Sequence, residues 1–186
     1  MLFRSLAYDR EVAARADASL LVSDAEAELF RRLAPESAAK IHAVANGIDC
    51  DYFSPAHTFE RPFKPAGPAY VFTGTMDYRP NVGAVVWFAN EIFPRIRAEQ
   101  AGATFTIVGS KPAKEVAALE NRDGITVTGR VADVRPYLAH ADVVVAPMRI
   151  ARGIQNKILE GMAMAKPVVP ATPAPEVPSG ANALPA

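Results

Sequence analysis

Positions 152 to 160 read RGIQNKILE and set a glycine, two amides and a lysine directly ahead of an apolar helical run. Gly153, Ile154, Gln155 and Asn156 would open that helix, where the first N–H groups lack intrahelical partners and the dipole is positive, a setting suited to phosphate. Lys157 adds a mobile cation one turn in, and a charge-assisted hydrogen bond of this kind contributes roughly 1.5–3 kcal/mol. Glu160 falls on the same face one turn later, placed to accept from two vicinal hydroxyls such as a ribose offers. Phosphate followed by ribose is the order of a nucleotide lying along the helix. The same spacing also fits a solvated Lys157–Glu160 ion pair, which adds only ~0.2–0.5 kcal/mol. Spacing alone leaves both readings open.

The elements that must position these residues are legible from periodicity. A helix over 1–17 and a short strand over 18–23 are followed by a helix over 24–34 with Ser23 as its cap, then by a strand that runs into the Asn46-Gly47 turn. Pro55, Pro62, Pro65, Pro68 and Gly67 give 55–68 the composition of a linker. Beyond it, apolar strands at 69–75, 104–110, 125–130, 142–148 and 167–169 alternate with helices at 81–99, 113–120, 134–141 and 154–165. This alternation predicts βαβ crossovers and an α/β fold, a Rossmann-like parallel sheet with flanking helices. The aromatic residues Phe72, Trp87, Phe88, Phe93 and Phe105 fall at core spacing. The expected layout is 1–54, the end of a preceding domain; 55–68, a linker; 69–170, the Rossmann-like domain; and 171–186, a proline-rich disordered tail.

In such a sheet, ligands sit beyond the carboxyl ends of the strands. The loops there are GTMDYRPN, GSKP, GRVAD and PMRIARGIQN. Gly74 and Gly109 stand at the first two strand ends, where a missing side chain would let a ligand approach the backbone. No G-x-G-x-x-G follows the first strand, which argues against a dinucleotide-dependent dehydrogenase.

Composition narrows the partners. The 20 Lys and Arg balance 20 Asp and Glu, so nucleic acid is not an expected partner. Cys50 is the single cysteine, and His42, His57 and His140 are far apart, so no metal site is expected. The opening segment is rich in arginine and has no continuous apolar run of signal or bilayer length. The expected location is the cytoplasm, with peripheral association at the inner face of the membrane left open.

GIQNKILEGMAMAKPVV, preceded by DVVVAPM and FTIVGSKP, resembles the carboxy-terminal domain of GT-B glycosyltransferases of retaining family four, the glycosyl transferases group 1. ASLLVSDAEAELF and HAVANGIDCDYFSP are similar to the end of that family's amino-terminal domain and its linker, and FTGTMDYRPNVGAVVWF is similar to exopolysaccharide- and PEP-CTERM-associated sugar transferases. The resemblance implies transfer of a sugar, of hexosyl type, from a nucleotide-diphosphate donor to a sugar or lipid-linked acceptor, with retention and without an essential metal or other cofactor. It places Glu160 at the ribose, as the second of two glutamates separated by seven residues; Arg152 occupies the first position. Thr75 stands where the family often has an arginine, leaving Arg79 as either a substitute cation for the diphosphate or a surface residue; Arg130 and Val131 are expected to line the base pocket, with a plain surface position the alternative for Arg130. No catalytic residue is assigned. Most of the amino-terminal domain and the end of the second are missing from the family pattern, so a fragment with little turnover of its own is expected. The competing expectation is a non-catalytic α/β interaction module that has lost the donor site.

Overall fold

In the computed structural model, residues 2–64, 67–120, 122–148 and 155–171 are described. They divide into two compact units, meeting between Gly47 and Ile48.

In the first unit, α1 (Leu2–Arg15), β1 (Ser19–Leu21), α2 (Asp24–Leu33), a 3-10 turn (Pro35–Lys40) and β2 (Ile41–Ala43) follow one another. β1 and β2 pair in parallel, Ser19 opposite Ile41. The Ser23 hydroxyl accepts from the Glu26 N–H at 3.2 Å, as the sequence predicts for a cap, and Asp24 and Glu26 meet the positive end of the dipole. Arg31 donates to the Ile41 carbonyl at 2.8 Å, tying α2 to β2 beside the small core of Ala27, Ala34 and Ile41. The 3-10 turn was not expected; Pro35, with φ already fixed and no N–H to satisfy, starts it.

The second unit holds β3 (Ala69–Thr73), α3 (Arg79–Trp87), a π-helical turn (Phe88–Ile92), α4 (Phe93–Glu99), β4 (Thr104–Val108), α5 (Lys114–Ala117), β5 (Ile125–Gly129), α6 (Arg135–Ala139), β6 (Val143–Ala146), α7 (Asn156–Ala163) and β7 (Val168–Pro170). The strands form one all-parallel sheet in the order β5-β4-β3-β6-β7. The expected α/β class is therefore observed. Sequence periodicity predicts one helix over 81–99, but the chain makes two with a π turn between them. Pro94 cannot donate and its ring crowds the preceding turn, and the ladder adjusts by an i→i−5 bond from the Phe93 N–H to the Phe88 carbonyl. Phe72, Val85, Phe88, Phe93 and Phe105 form the core on that side of the sheet. On the other side Val71, Val108, Leu138 and Val144 pack together, joined by Phe59 and Phe63 from the segment read as a linker and by Phe53 just before it. Arg135 holds both parts of this stretch: its guanidinium lies 3.7 Å from the Tyr52 ring centroid and 5.2 Å from that of Phe59, and is paired with Asp133 at 2.8 Å, which holds that carboxyl below its usual range. The His140 ring adds a hydrogen bond to the Phe59 carbonyl at 2.7 Å.

α7, which carries the residues of interest, ends in a paired cap. The Ala165 N–H donates to Met162 and the Lys166 N–H to Gly161, with Ala165 in the left-handed region at φ 53°. A Cβ in that region is costly. Ala165→Gly is expected to stabilise the protein by about 1 kcal/mol, measurable as a raised urea midpoint with unchanged slope; no gain would mean that the unfolded-state entropy of glycine cancels the relief.

Candidate functional site

The strand order reverses direction at β3: β4 and β5 lie on one side of it, β6 and β7 on the other. Loops leaving β3 and β6 therefore separate above the sheet and open a crevice. A cleft of about 980 Å³ lies there, with Thr73, Gly74 and Thr75 from the end of β3, Gly109 and Ser110 from β4, Arg130 and Val131 from β5, and the start of α7 among its walls. Its floor is tight. A Cβ on Gly109 would lie 1.6 Å from the Gly74 carbonyl oxygen, and one on Gly74 2.7 Å from Asn81 Nδ2. Gly109 is therefore required where backbone meets backbone, and Gly74 where backbone meets the Asn81 amide, in addition to any ligand.

Lys157 does not form the solvated ion pair with Glu160 that spacing allowed, nor is it a mobile cation. Its ammonium donates to Asn81 Oδ1 at 2.8 Å, lies 3.9 Å from Met148 Sδ and sits 4.5 Å from the centroid of the Phe72 ring. Removal from water is the main influence, lowering the lysine pKa from 10.5 to about 8, against which the charge of Glu160 acts weakly. Burial likewise raises the Glu160 carboxyl above its usual value. A half-buried cation and carboxyl thus share the first two turns of α7 without neutralising each other by contact. Two buried oxygens of the cleft, Thr73 Oγ1 and Gln155 Oε1, have no hydrogen-bond partner among the described residues.

The sequence signature of the family described as glycosyl transferases group 1 matches residues 67–184, which include every wall of this cleft. The chain belongs to the glycosyl transferases group 1. A search of curated proteins found no significant match. Among solved structures, HepE of Anabaena in complex with UDP and glucose is 17% identical, with a TM-score of 0.62 over 90% of this chain and 48% of that one. A glycosyltransferase from Rickettsia africae gives 17% identity and a TM-score of 0.62 over 89% of this chain and 47% of its own. TarM of S. aureus gives 14% and 0.68, over 90% and 32%. The chain thus spans about half or less of the length of these structures, and the likeness is one of fold, the GT-B type of parallel sheet with flanking helices.

In this group 1 domain, the fold brings Gly74, Gly109, Arg130, Val131, Gln155, Asn156, Lys157 and Glu160 together in the cleft. Arg79 is not among its walls; it opens α3 as an exposed residue. Gly153 and Ile154, with Arg152, lie outside the described residues. Sequence reasoning missed Asn81, which is buried and bonded to the key lysine, and Thr73, Ser110 and Met148. The signal for Asn81 was present: a polar residue at i−4 and i−3 to Val85 and Ala84 in a helix whose other inward positions are apolar.

Proposed function

We propose that this chain binds a nucleoside-diphosphate sugar in the β3–β6 cleft and serves the donor side of a retaining, family-four hexosyl transfer. The observation that carries the reading is the Lys157 ammonium held at the opening turn of α7, with Glu160 one turn on and Arg130 and Val131 across the cleft. A diphosphate would meet the helix terminus and Lys157, a ribose would meet Glu160, and a base would lie against Val131. The unpartnered Thr73 and Gln155 oxygens are groups that a polar ligand would occupy. UDP, present in the HepE structure, is the first nucleotide to test.

The reading extends to the whole protein as follows. Residues 1–54 belong to the end of the amino-terminal domain, 55–68 to the interdomain linker and 69–170 to the donor domain. The acceptor is a sugar or lipid-linked sugar in polysaccharide or glycolipid assembly of the exopolysaccharide or PEP-CTERM-associated kind, at the cytoplasmic side of the membrane. No additional cofactor takes part. Among the described residues no helix is long and apolar enough to cross a membrane.

Thermal unfolding with and without millimolar UDP and GDP tests the proposal. One of the two nucleotides is expected to raise the transition, since a ligand at ~100 times its Kd adds about 2.7 kcal/mol. A transition that neither nucleotide moves would reject the donor site and favour the interaction module, whose protein partner would then be sought by pull-down.

A further inference from the structure

Resting on that reading, we propose that Asn81 is the positioning residue for Lys157: it fixes the ammonium at the floor of the cleft while leaving its charge free for the diphosphate. Asn81 is 6% exposed. Its Nδ2 donates to the Thr75 carbonyl at 2.9 Å, so its Oδ1 must face the other way, onto the lysine at 2.8 Å. That orientation is chemically forced, because a flipped amide would set N–H against ammonium and oxygen against carbonyl. The absence of a Cβ at Gly74 is what makes room for the amide, since one there would lie 2.7 Å from Nδ2.

The choice of amide follows from what the site needs. A carboxylate at 81 would hold the lysine as well but cancel its charge and face the Thr75 carbonyl without a donor. An apolar residue would leave a long, flexible side chain without an anchor. The neutral amide gives direction with no opposing charge, and the loop after β3 has little other cation to offer. Lys111 reaches across to Asp77 at 3.6 Å and is largely exposed, and Arg79 is absent from the cleft. The start of α3 thus contributes to anion binding through Asn81, by holding a lysine that comes from a different element.

The test uses the full chain, with Asn81→Asp and Asn81→Leu, and two readouts. The first is the titration of the Lys157 ammonium by NMR of 13Cε-labelled lysine, assigned through Lys157→Met and read without nucleotide. The second is affinity for UDP compared with uridine. Glu160 on α7 and Arg130 and Tyr78 on the cleft walls also face this space and are the same in all variants. The Asp variant is expected to raise the lysine midpoint and the Leu variant to lower it. Both are expected to weaken UDP roughly 10-fold, the loss of one charge-assisted hydrogen bond, and uridine less than twofold. An unchanged lysine midpoint in the near-isosteric Asp variant overturns the inference, as does equal weakening of UDP and uridine, the mark of a merely structural role. If the Leu variant does not fold, the Asp variant decides. A parent protein that binds neither UDP nor GDP rejects the proposed function instead, and the lysine titration still reports separately whether Asn81 holds Lys157.

Discussion

Lys157→Met is expected to weaken UDP binding at pH 7 by at least roughly 10-fold while leaving the ligand-free unfolding temperature within about 2 °C of the parent. The two halves of this result have one cause. Burial lowers the lysine pKa from 10.5 to about 8 even though Asn81 accepts from it. At about 1.4 kcal/mol per unit, the charged form is held at a net cost on the order of 3 kcal/mol. Methionine removes that cost and keeps the stem packed near Phe72 and Met148, while leaving Asn81 Oδ1 without a donor, a loss of about 1–3 kcal/mol. The two effects nearly offset in the ligand-free protein. With the diphosphate present they do not, because methionine has no charge to give it. A variant that lost both stability and binding would place Lys157 in the architecture of the cleft instead.

The same pKa fixes a pH signature. Below about 8 the lysine is protonated folded and unfolded, and the full cost of its burial is felt. Between about 8 and its ordinary value of 10.5 the unfolded chain binds more protons than the folded one, so this group makes the ligand-free protein more stable as pH rises. Nucleotide affinity should move in the opposite direction, falling as pH passes about 8 because the cation is lost. Calorimetry of parent and Lys157→Met across this window isolates the lysine from the other titrating groups.

The fold was legible because each second-unit strand is a short apolar run bounded by glycine, proline or polar turns, and strands alternate with helices. The break at Phe88–Ile92 was not, because its cause, Pro94, sits inside an uninterrupted apolar face that reads as one helix. Lys157 and Glu160 stood out by type and spacing, but the partner of the lysine did not. Asn81 lies 76 positions away, and only the return of the chain through three crossovers brings the two together. Arg79 stands out in the sequence where Asn81 does not, because a charge announces itself there and a buried amide does not. The helix start at Arg79 turns the arginine outward and Asn81 inward.

Gly109→Ala is expected to destabilise the protein by on the order of 3–4 kcal/mol or to abolish soluble expression, whereas Gly83→Ala should be neutral to stabilising by about 0.5–1 kcal/mol. The added methyl at 109 would fall 1.6 Å from the Gly74 carbonyl oxygen, and both atoms belong to backbone or its first carbon, so no rotamer change relieves the overlap. Relief requires the ends of β3 and β4 to part, which costs the bonds from Gly74 N–H to Val108 and from Met76 N–H to Ser110, at 3.0 and 2.8 Å. At Gly83, in the exposed part of α3, a methyl meets nothing within 4 Å and gains helix propensity. Opposite signs from the same substitution would show that the glycine at the second strand end is demanded by the meeting of two strand ends, with access for a ligand a consequence of that packing. A tolerated Gly109→Ala would reverse the order and leave ligand approach as the reason for the residue.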